Sequence, residues 1–319
     1  MPPPPVGREW PAREWDVEPE KLREYASAVG ETEAIYHDAG AARARGFSDL
    51  VAAPAFAAVV VAPAVAAVIF DPEVGLFDPE VGLSSYRFVH KRQLFRWHRP
   101  IVAGDALVTR ARLVDASEAP DGRAGRVFES ETVDAAGEPV VSARYEGVVP
   151  PAGGRRKGSS RAESGTRASG DSEHLRHGSP TQPSGAVSRP AAAGDVFPAL
   201  SVLPGPEATK RYAEASGDFT PFHLSDEAAV AAGLPGIILH GLYSFAQVVR
   251  AHTAPWGGDP RVLVELSGRF RRPAFPDRPL VADLEVAEAE ADGSLRTGGE
   301  LLQGGRAVIE EIEGRLRPN

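Results

Sequence analysis

The chain contains an ungapped internal repeat, which restricts the folds it can adopt. Residues 25–64 align with residues 212–251 at a constant offset of 187, and ten of the forty positions are identical. Farther along, Arg99 aligns with Arg272 at an offset of 173. Repetition on this scale indicates duplication of one structural unit. We therefore expect two copies of one domain within the 319 residues.

A polar segment separates the two copies. Residues 150–195 are rich in Gly, Ser, Pro and charged side chains, and Leu175 and Val187 are their only large aliphatic residues. Such a segment cannot bury enough apolar surface to offset its ordering entropy. The sequence predicts an N-terminal domain at 1–149, a disordered linker at 150–195 and a C-terminal domain at 196–319.

Twenty consecutive residues of the first copy, Val51–Phe70, carry no charged or polar side chain. That length would suffice to span a bilayer. However, Pro54 and Pro63 would each remove a helix hydrogen bond, and the ends lack the aromatic belt and Lys/Arg cluster of a membrane helix. We expect a buried core helix and no membrane span.

Each half has the same predicted order of elements. A short helix, at Pro19–Val29 or Thr209–Ser216, precedes a turn-rich stretch and a long apolar helix, which in the second half covers His240–Ala251. Four segments with alternating β-branched residues follow, which indicates an antiparallel meander. A meander after one apolar helix predicts an α+β unit whose sheet wraps around that helix. The predicted strands are Ser85–Trp97, Ala106–Asp115, Gly125–Asp134, Val140–Val149, Arg261–Phe270, Pro279–Ala289, Ser294–Leu302 and Ala307–Arg315.

Composition narrows the functional classes. Cysteine is absent, which excludes disulfides, thiol nucleophiles and Cys-ligated metal centres. The net charge of −9 argues against a nucleic-acid binder, because such proteins normally carry a basic surface. The first residues lack the basic and apolar regions of a secretory signal. We expect a cytoplasmic protein with no metal or redox cofactor.

The second half brings two ionisable groups into one short loop. Gly217 and Pro221 favour a tight turn that would aim Asp218 and His223 together. Their reference pKa values, about 3.9 and about 6.5, suit a coupled acid and base at neutral pH. Gly241 opens the following apolar helix, so its backbone N–H lacks an intrahelical acceptor and could polarise a carbonyl oxygen. A capping aspartate and a structural histidine would be the simpler interpretation.

The stretches GDFTPFH (217–223) and PGIILHG (235–241) resemble the MaoC-like (R)-specific enoyl-thioester hydratases and (3R)-hydroxyacyl-ACP dehydratases. The first half is similar to the noncatalytic partner domain of this family, through AVGETEAIYHD and VHKRQLFRWHRPIVAGDALV. Together they resemble a fusion of the two subunits of the actinobacterial dehydratase. The resemblance implies a double hot dog fold. It also implies reversible dehydration of (3R)-3-hydroxyacyl thioesters of ACP or CoA to trans-2-enoyl thioesters.

The resemblance assigns roles to residues of the second half. It implies that Asp218 and His223 form the catalytic dyad and that Gly241 donates to the oxyanion, without deciding which dyad member is the acid. Thr220 stands where the family usually has Asn, and its hydroxyl provides one donor fewer. A structural role for the loop histidine before Gly241 is favoured over a catalytic one. The implied substrate contacts are Thr220, Pro221, Gly236, His240 and Arg272.

The first half lacks this constellation under the same alignment. Glu31 replaces the aspartate, Tyr36 replaces the histidine, and Pro54 replaces Gly241 and has no N–H to donate. We expect this half to be a degenerate domain that shapes the site for the acyl chain. His37, one residue past the dyad position, is not expected to act in catalysis.

Two other functions remain open from the sequence. A hot dog acyl-thioesterase would hydrolyse the same class of substrate, and a noncatalytic module would only bind acyl thioesters. The basic runs at 90–99 and 269–272 are either a solvated strand face or contacts to the CoA or acyl-carrier-protein moiety. The acyl chain length, the carrier and the oligomeric state are undecided, with a homodimer left open.

Overall fold

The computed structural model describes residues 4–76, 88–149 and 189–318. Most of the predicted linker, residues 150–188, lies outside the described residues. The last part of that predicted segment forms a turn against the second half. The Asp195 carboxylate accepts hydrogen bonds from the N–H groups of Ala191 and Ala192, and Gly194 N–H donates to the Val286 carbonyl.

The two halves repeat one order of elements, as the internal repeat predicts. Each begins with a short strand and two helices, continues with a third and longer helix, and ends with four strands. The first half consists of β1 (Arg13–Asp16), α1 (Pro19–Val29), α2 (Ala39–Ala44), α3 (Ala57–Ile69), β2 (Val89–Trp97), β3 (Ala106–Glu118), β4 (Ala124–Asp134) and β5 (Pro139–Val149). The second consists of β6 (Leu200–Val202), α4 (Ala208–Ser216), α5 (Asp226–Ala231), α6 (Gly241–Thr253), β7 (Leu263–Phe270), β8 (Leu280–Ala289), β9 (Leu295–Gln303) and β10 (Arg306–Leu316).

All ten strands form one antiparallel sheet, in the order β1-β3-β4-β5-β2-β7-β10-β9-β8-β6. The halves meet at its centre, where β2 pairs with β7 from Arg92 opposite Arg269 to Arg96 opposite Glu265. Each half therefore contributes one long helix and five strands, and together they give the double hot dog fold that the sequence predicts.

The core helix of the first half is shorter than the apolar run. Pro54–Phe56 forms a 3-10 turn, and α3 begins only at Ala57. Pro63 lies inside α3, where the surrounding sheet and helices bury most of the helix and compensate for the lost hydrogen bond. No helix in the described ranges is long and apolar enough to cross a membrane.

Helix α6 differs from α3 because it buries polar side chains. His252 is fully buried, its Nδ1–H donates to the Val248 carbonyl at 2.8 Å, and its Nε2 lies 2.8 Å from the Thr297 hydroxyl on β9. Gly314 on β10 leaves the room for this pair. A Cβ there would overlap the Thr297 hydroxyl and lie 3.0 Å from His252 Nε2. The contact anchors the last turns of α6 to the sheet.

We expect Gly314→Ala to lower the free energy of unfolding by about 1–3 kcal/mol, because the added methyl group overpacks the buried His252–Thr297 pair. Gly298→Ala is the matched control. Its Cβ would meet only the Ile312 carbonyl, at an ordinary 3.7 Å. Urea denaturation of both variants checks this, and equal stabilities would contradict it.

Candidate active site

The loop after α4 brings the predicted dyad together. Gly217 ends the helix in the left-handed conformation, with φ of 78°, and its N–H donates to the Ala213 carbonyl. Pro221–His223 then forms a 3-10 turn. As a result, an oxygen of Asp218 and ring nitrogens of His223 and His240 lie within 4.8 Å of one another.

Thr220 holds the Asp218 carboxylate in place. Oδ1 of Asp218 accepts from the Thr220 hydroxyl at 2.6 Å and from the Thr220 N–H at 3.1 Å. Desolvation raises the pKa of Asp218, but the imidazoles of His240 and His223 and the two Thr220 bonds lower it by more. The pKa of Asp218 therefore lies below its usual value, and the group is a carboxylate at neutral pH.

His223 is held in one tautomer. Its Nδ1 lies 2.8 Å from the Ile238 carbonyl, which can only accept, so Nδ1 carries the proton and Nε2 has a free lone pair. The residue is 6% exposed. Burial lowers the pKa of His223, although Asp218 and the bond to Ile238 raise it in part. His223 is therefore a neutral base at neutral pH.

His240 stacks on His223, with ring centroids 3.8 Å apart and planes at 24°. Its Nε2–H donates to the Asp218 carbonyl at 2.9 Å, which ties the loop before α6 to the dyad loop. Its buried Nδ1 has no hydrogen-bond partner among the described residues. Burial, assisted by His223, lowers the pKa of His240 to about 4. His240 thus orients both loops as an uncharged ring.

The same three side chains form the one group of potential metal ligands within the described parts of the chain. Imidazole lone pairs lie in the ring plane, so two nearly parallel stacked rings cannot both point at one ion. The arrangement does not fit a metal centre, and no metal-dependent step follows from it.

Gly241, the predicted oxyanion donor, is the first residue of α6 and is exposed. The ring of Phe270 covers its Cα, because a Cβ on Gly241 would lie 3.3 Å from Phe270 Cε1. The ring centroid of His90, from the first half, lies 4.7 Å from that of Phe270. Both halves therefore border the site. Sequence reasoning did not identify His90 or Phe270 as site residues, although both occur in the basic runs.

The remaining predicted substrate contacts are Pro221, Gly236 and Arg272, and each has a different local environment. Pro221 opens the 3-10 turn that carries His223. Gly236 borders Asp226, whose carboxylate accepts from the Ile237 N–H at 3.0 Å, so its observed role is local to that loop. Arg272 is exposed, and its Nη1 donates to the Ala307 carbonyl at 3.1 Å.

Glutamates neutralise much of the basic strand face. Arg92 pairs with Glu311, and Arg96 pairs with Glu265. Arg269 pairs with Glu311 at 2.9 Å. This face therefore resembles the solvated alternative of the sequence analysis more than a continuous basic surface.

Two residues at the equivalent positions of the first half, Tyr36 and Pro54, are engaged in hydrogen bonds to other parts of the protein. The Tyr36 hydroxyl donates to the Gly258 carbonyl, and the Pro54 carbonyl accepts from Trp97 Nε1 at 2.9 Å. His37 Nε2 lies 2.8 Å from the Glu31 carbonyl. These contacts use the hydroxyl of Tyr36, which replaces His223, and the carbonyl of Pro54, which replaces Gly241.

Comparisons with known proteins match a different family model to each part of the chain. Residues 5–143 match the family described as "FAS1-like, dehydratase domain region", and residues 182–299 match the "MaoC like domain". A UPF0336 protein of Saccharopolyspora erythraea is 36% identical over 143 residues, which are 44% of this chain and 85% of that protein.

Solved structures resemble the whole chain. One described as a MaoC-like dehydratase is 23% identical, covers 98% of both chains and has a TM-score of 0.76. A Mycobacterium tuberculosis protein described as having a double hotdog fold is 15% identical, with 98% of this chain and 96% of that chain covered and a TM-score of 0.62. The chain belongs to the family of the UPF0336 proteins, which match one half of it, and its residues 182–299 match the MaoC like domain.

We expect Thr220→Val to raise the pKa of Asp218, because the variant loses the 2.6 Å hydroxyl bond to the carboxylate and keeps a side chain of the same shape. Thr220→Ser retains a hydroxyl and serves as the control. Carbon-13 NMR titration of the Asp218 carboxyl group measures both. An unchanged pKa in Thr220→Val would show that the bond does not stabilise the charged form.

Proposed function

We propose that this protein is a hydro-lyase that reversibly dehydrates (3R)-3-hydroxyacyl thioesters to trans-2-enoyl thioesters, with one active site per chain. The observation that carries the proposal is the pairing of an ionised Asp218 with a neutral His223 beside the N-terminus of α6. The first half has no such pair, because Glu31 and Tyr36 occupy the equivalent positions.

The protonation states define how protons move. The free dyad holds no readily transferable proton, because Asp218 is ionised and the one proton of His223 is bonded to the Ile238 carbonyl. During dehydration the dyad takes a proton from C2 of the substrate, and the C3–O bond breaks. The same proton then joins the departing hydroxide as water. The dyad returns to its starting state, so protons and charge balance.

The negative charge that develops during C2 deprotonation moves to the thioester oxygen. The Gly241 N–H is the natural donor for that oxygen, because the first N–H groups of a helix lack intrahelical acceptors and lie at its positive end. Preorganised donors of this type stabilise the transition state more than the ground state.

We assign the acyl chain to a site that both halves build. The approach of His90 to Phe270, which covers Gly241, supports a contribution of residues 1–149 to substrate binding. In this proposal residues 196–319 carry the chemistry. The thioester carrier is CoA or an acyl carrier protein in the cytoplasm. Arg272, in the segment after β7, is the proposed cationic contact, because its Nη1 donates to the Ala307 backbone carbonyl and no carboxylate pairs with it among the described residues.

We expect Asp218→Asn and His223→Ala each to reduce the rate of crotonyl-CoA hydration by about 10²–10⁴-fold, because each removes one proton-transfer group. Loss of enoyl absorbance measures hydration, and chiral analysis of the product tests the (3R) assignment. A thiol-reactive dye run in parallel detects thioester hydrolysis. Thiol release that depends on Asp218 would instead identify a thioesterase, and undiminished hydration by Asp218→Asn would refute the proposed dyad.

We expect Gly241→Pro to lower kcat by about 10²–10³-fold, because it removes the proposed oxyanion donor. Proline is tolerated at the first position of a helix, and the first half carries Pro54 at the equivalent place. Gly241→Ala retains the N–H and controls for the crowding of Phe270 by the added carbon. Equal kcat values for the two variants would exclude the N–H as the donor.

A further inference from the structure

The carboxylate that replaces the catalytic aspartate in the first half is buried and faces a cation from the second half. Glu31 and Arg250 have side chains that are 6% and 13% exposed, and Oε2 of Glu31 lies 3.6 Å from Nε of Arg250. Arg250 belongs to α6, the helix that begins at Gly241. Glu31, at the position equivalent to Asp218, therefore contacts the helix that begins at Gly241 beside the proposed active site.

Two further bonds attach α6 to the same place. Arg250 Nη1 and Gln247 Nε2 each donate to the Val29 carbonyl at 3.2 Å, and Arg250 Nη1 also donates to Gln247 Oε1 at 2.7 Å. The residue after Val29 is Gly30, in the left-handed conformation with φ of 79°. A Cβ on Gly30 would lie 3.3 Å from Arg250 Nη1, so glycine leaves space for the guanidinium group.

The geometry connects this contact to the oxyanion donor. Gly241 and Arg250 lie on one continuous helix, about 13 Å apart along its axis at 1.5 Å per residue. A helix moves nearly as a rigid body, so a shift where Arg250 is held also shifts Gly241 and the adjoining His240. Displacement of a catalytic group by about 1 Å can reduce a rate by about 100-fold.

The pair is a poor stabiliser of the fold. Glu31 Oε1 and Arg250 Nε are both buried without hydrogen-bond partners among the described residues. The attraction within a buried ion pair seldom exceeds the free-energy cost of desolvating the two charges. The best-attested benefit of such a pair is that it favours one arrangement of the structure over alternatives.

We propose that Glu31 and Arg250 are positioning residues: their contact across the two halves fixes the placement of α6 and thereby holds Gly241 in register with the Asp218–His223 dyad. This inference rests on the proposed function and adds a structural role for Glu31 in the first half.

Protonation of Glu31 allows the proposal to be tested in the wild-type protein by changing the pH. Burial raises the pKa of Glu31 to about 7, with Arg250 lowering it and Glu33 raising it further. Burial, and to a smaller extent Glu31, raises the pKa values of Tyr25 and Tyr36, so both tyrosines stay neutral. Asp259 lies near Tyr36 and is ionised, since its bonds to Arg261 lower its pKa. As the pH falls through 7, Glu31 gains a proton and loses its attraction to Arg250.

The wild-type enzyme should therefore show a partial decrease in kcat as the pH falls through about 7, to a lower plateau, with KM nearly unchanged. Glu31→Gln imitates the protonated side chain. We expect its kcat to be about 10-fold below wild type at pH 8, to match the low-pH plateau and to show no step. The double variant Glu31→Gln, Arg250→Gln should be no slower than the slower single variant.

Tyr36→Phe is the matched control for a buried contact between the halves. It removes the bond to the Gly258 carbonyl, which lies beyond the end of α6, so it should lower the melting temperature and leave kcat and its pH profile unchanged. Positioning by Glu31 is refuted if Glu31→Gln keeps wild-type kcat, or if the wild type has no step near pH 7. The proposed function fails differently: the wild type would not hydrate crotonyl-CoA at all, or Asp218→Asn would remain active.

Discussion

The pairing of β2 with β7 is the contact on which the rest of the molecule depends. It joins two sheets into one and places the helices of both halves on a common surface. The equivalent tyrosines of the repeat, Tyr25 and Tyr212, consequently meet with ring centroids 6.0 Å apart. The ring of Tyr212 in turn lies 4.9 Å from that of His240. A site whose chemical groups all come from the second half is therefore supported by side chains of the first.

The two halves place different side chains at the equivalent positions of one repeated order of elements. At the candidate site, the hydrogen bond between His223 Nδ1 and the Ile238 carbonyl orients the ring and leaves Nε2 free. At the equivalent place in the first half, Tyr36 donates its only hydroxyl proton to Gly258. Pro54 has no N–H, and its carbonyl accepts from Trp97. The 3-10 turns Ala34–Tyr36 and Pro221–His223 are equivalent and differ in their side chains, whereas Pro54 begins a 3-10 turn and Gly241 begins α6 directly.

Most of the fold could be predicted because its signals are local and repeated. Alternation located the eight long strands, and the apolar run located α3, although Pro54 delayed its start to Ala57. The short strands β1 and β6 were missed, since three or four residues give no usable period. The shared loop predicted that Asp218 and His223 lie close together, as the structure shows, and their catalytic role stays a prediction. The carbonyl of Ile238, which fixes the tautomer of His223, could not be found, because every residue has a carbonyl and only the fold determines which one lies 2.8 Å away.

Buried polar atoms without partners are concentrated where the two sites lie. Six such side-chain atoms occur among the described residues, and three of them belong to His240, Glu31 and Arg250. Each typically costs about 1–3 kcal/mol, and an apolar substitution would often remove that cost. Their location argues that packing alone does not explain them. The His240 ring stacks on His223 in the candidate site, while Glu31 and Arg250 lie where α6 meets the first half. In the proposed function the first half carries no chemistry, and Glu31, at the position equivalent to Asp218, instead contacts Arg250 on α6 of the second half.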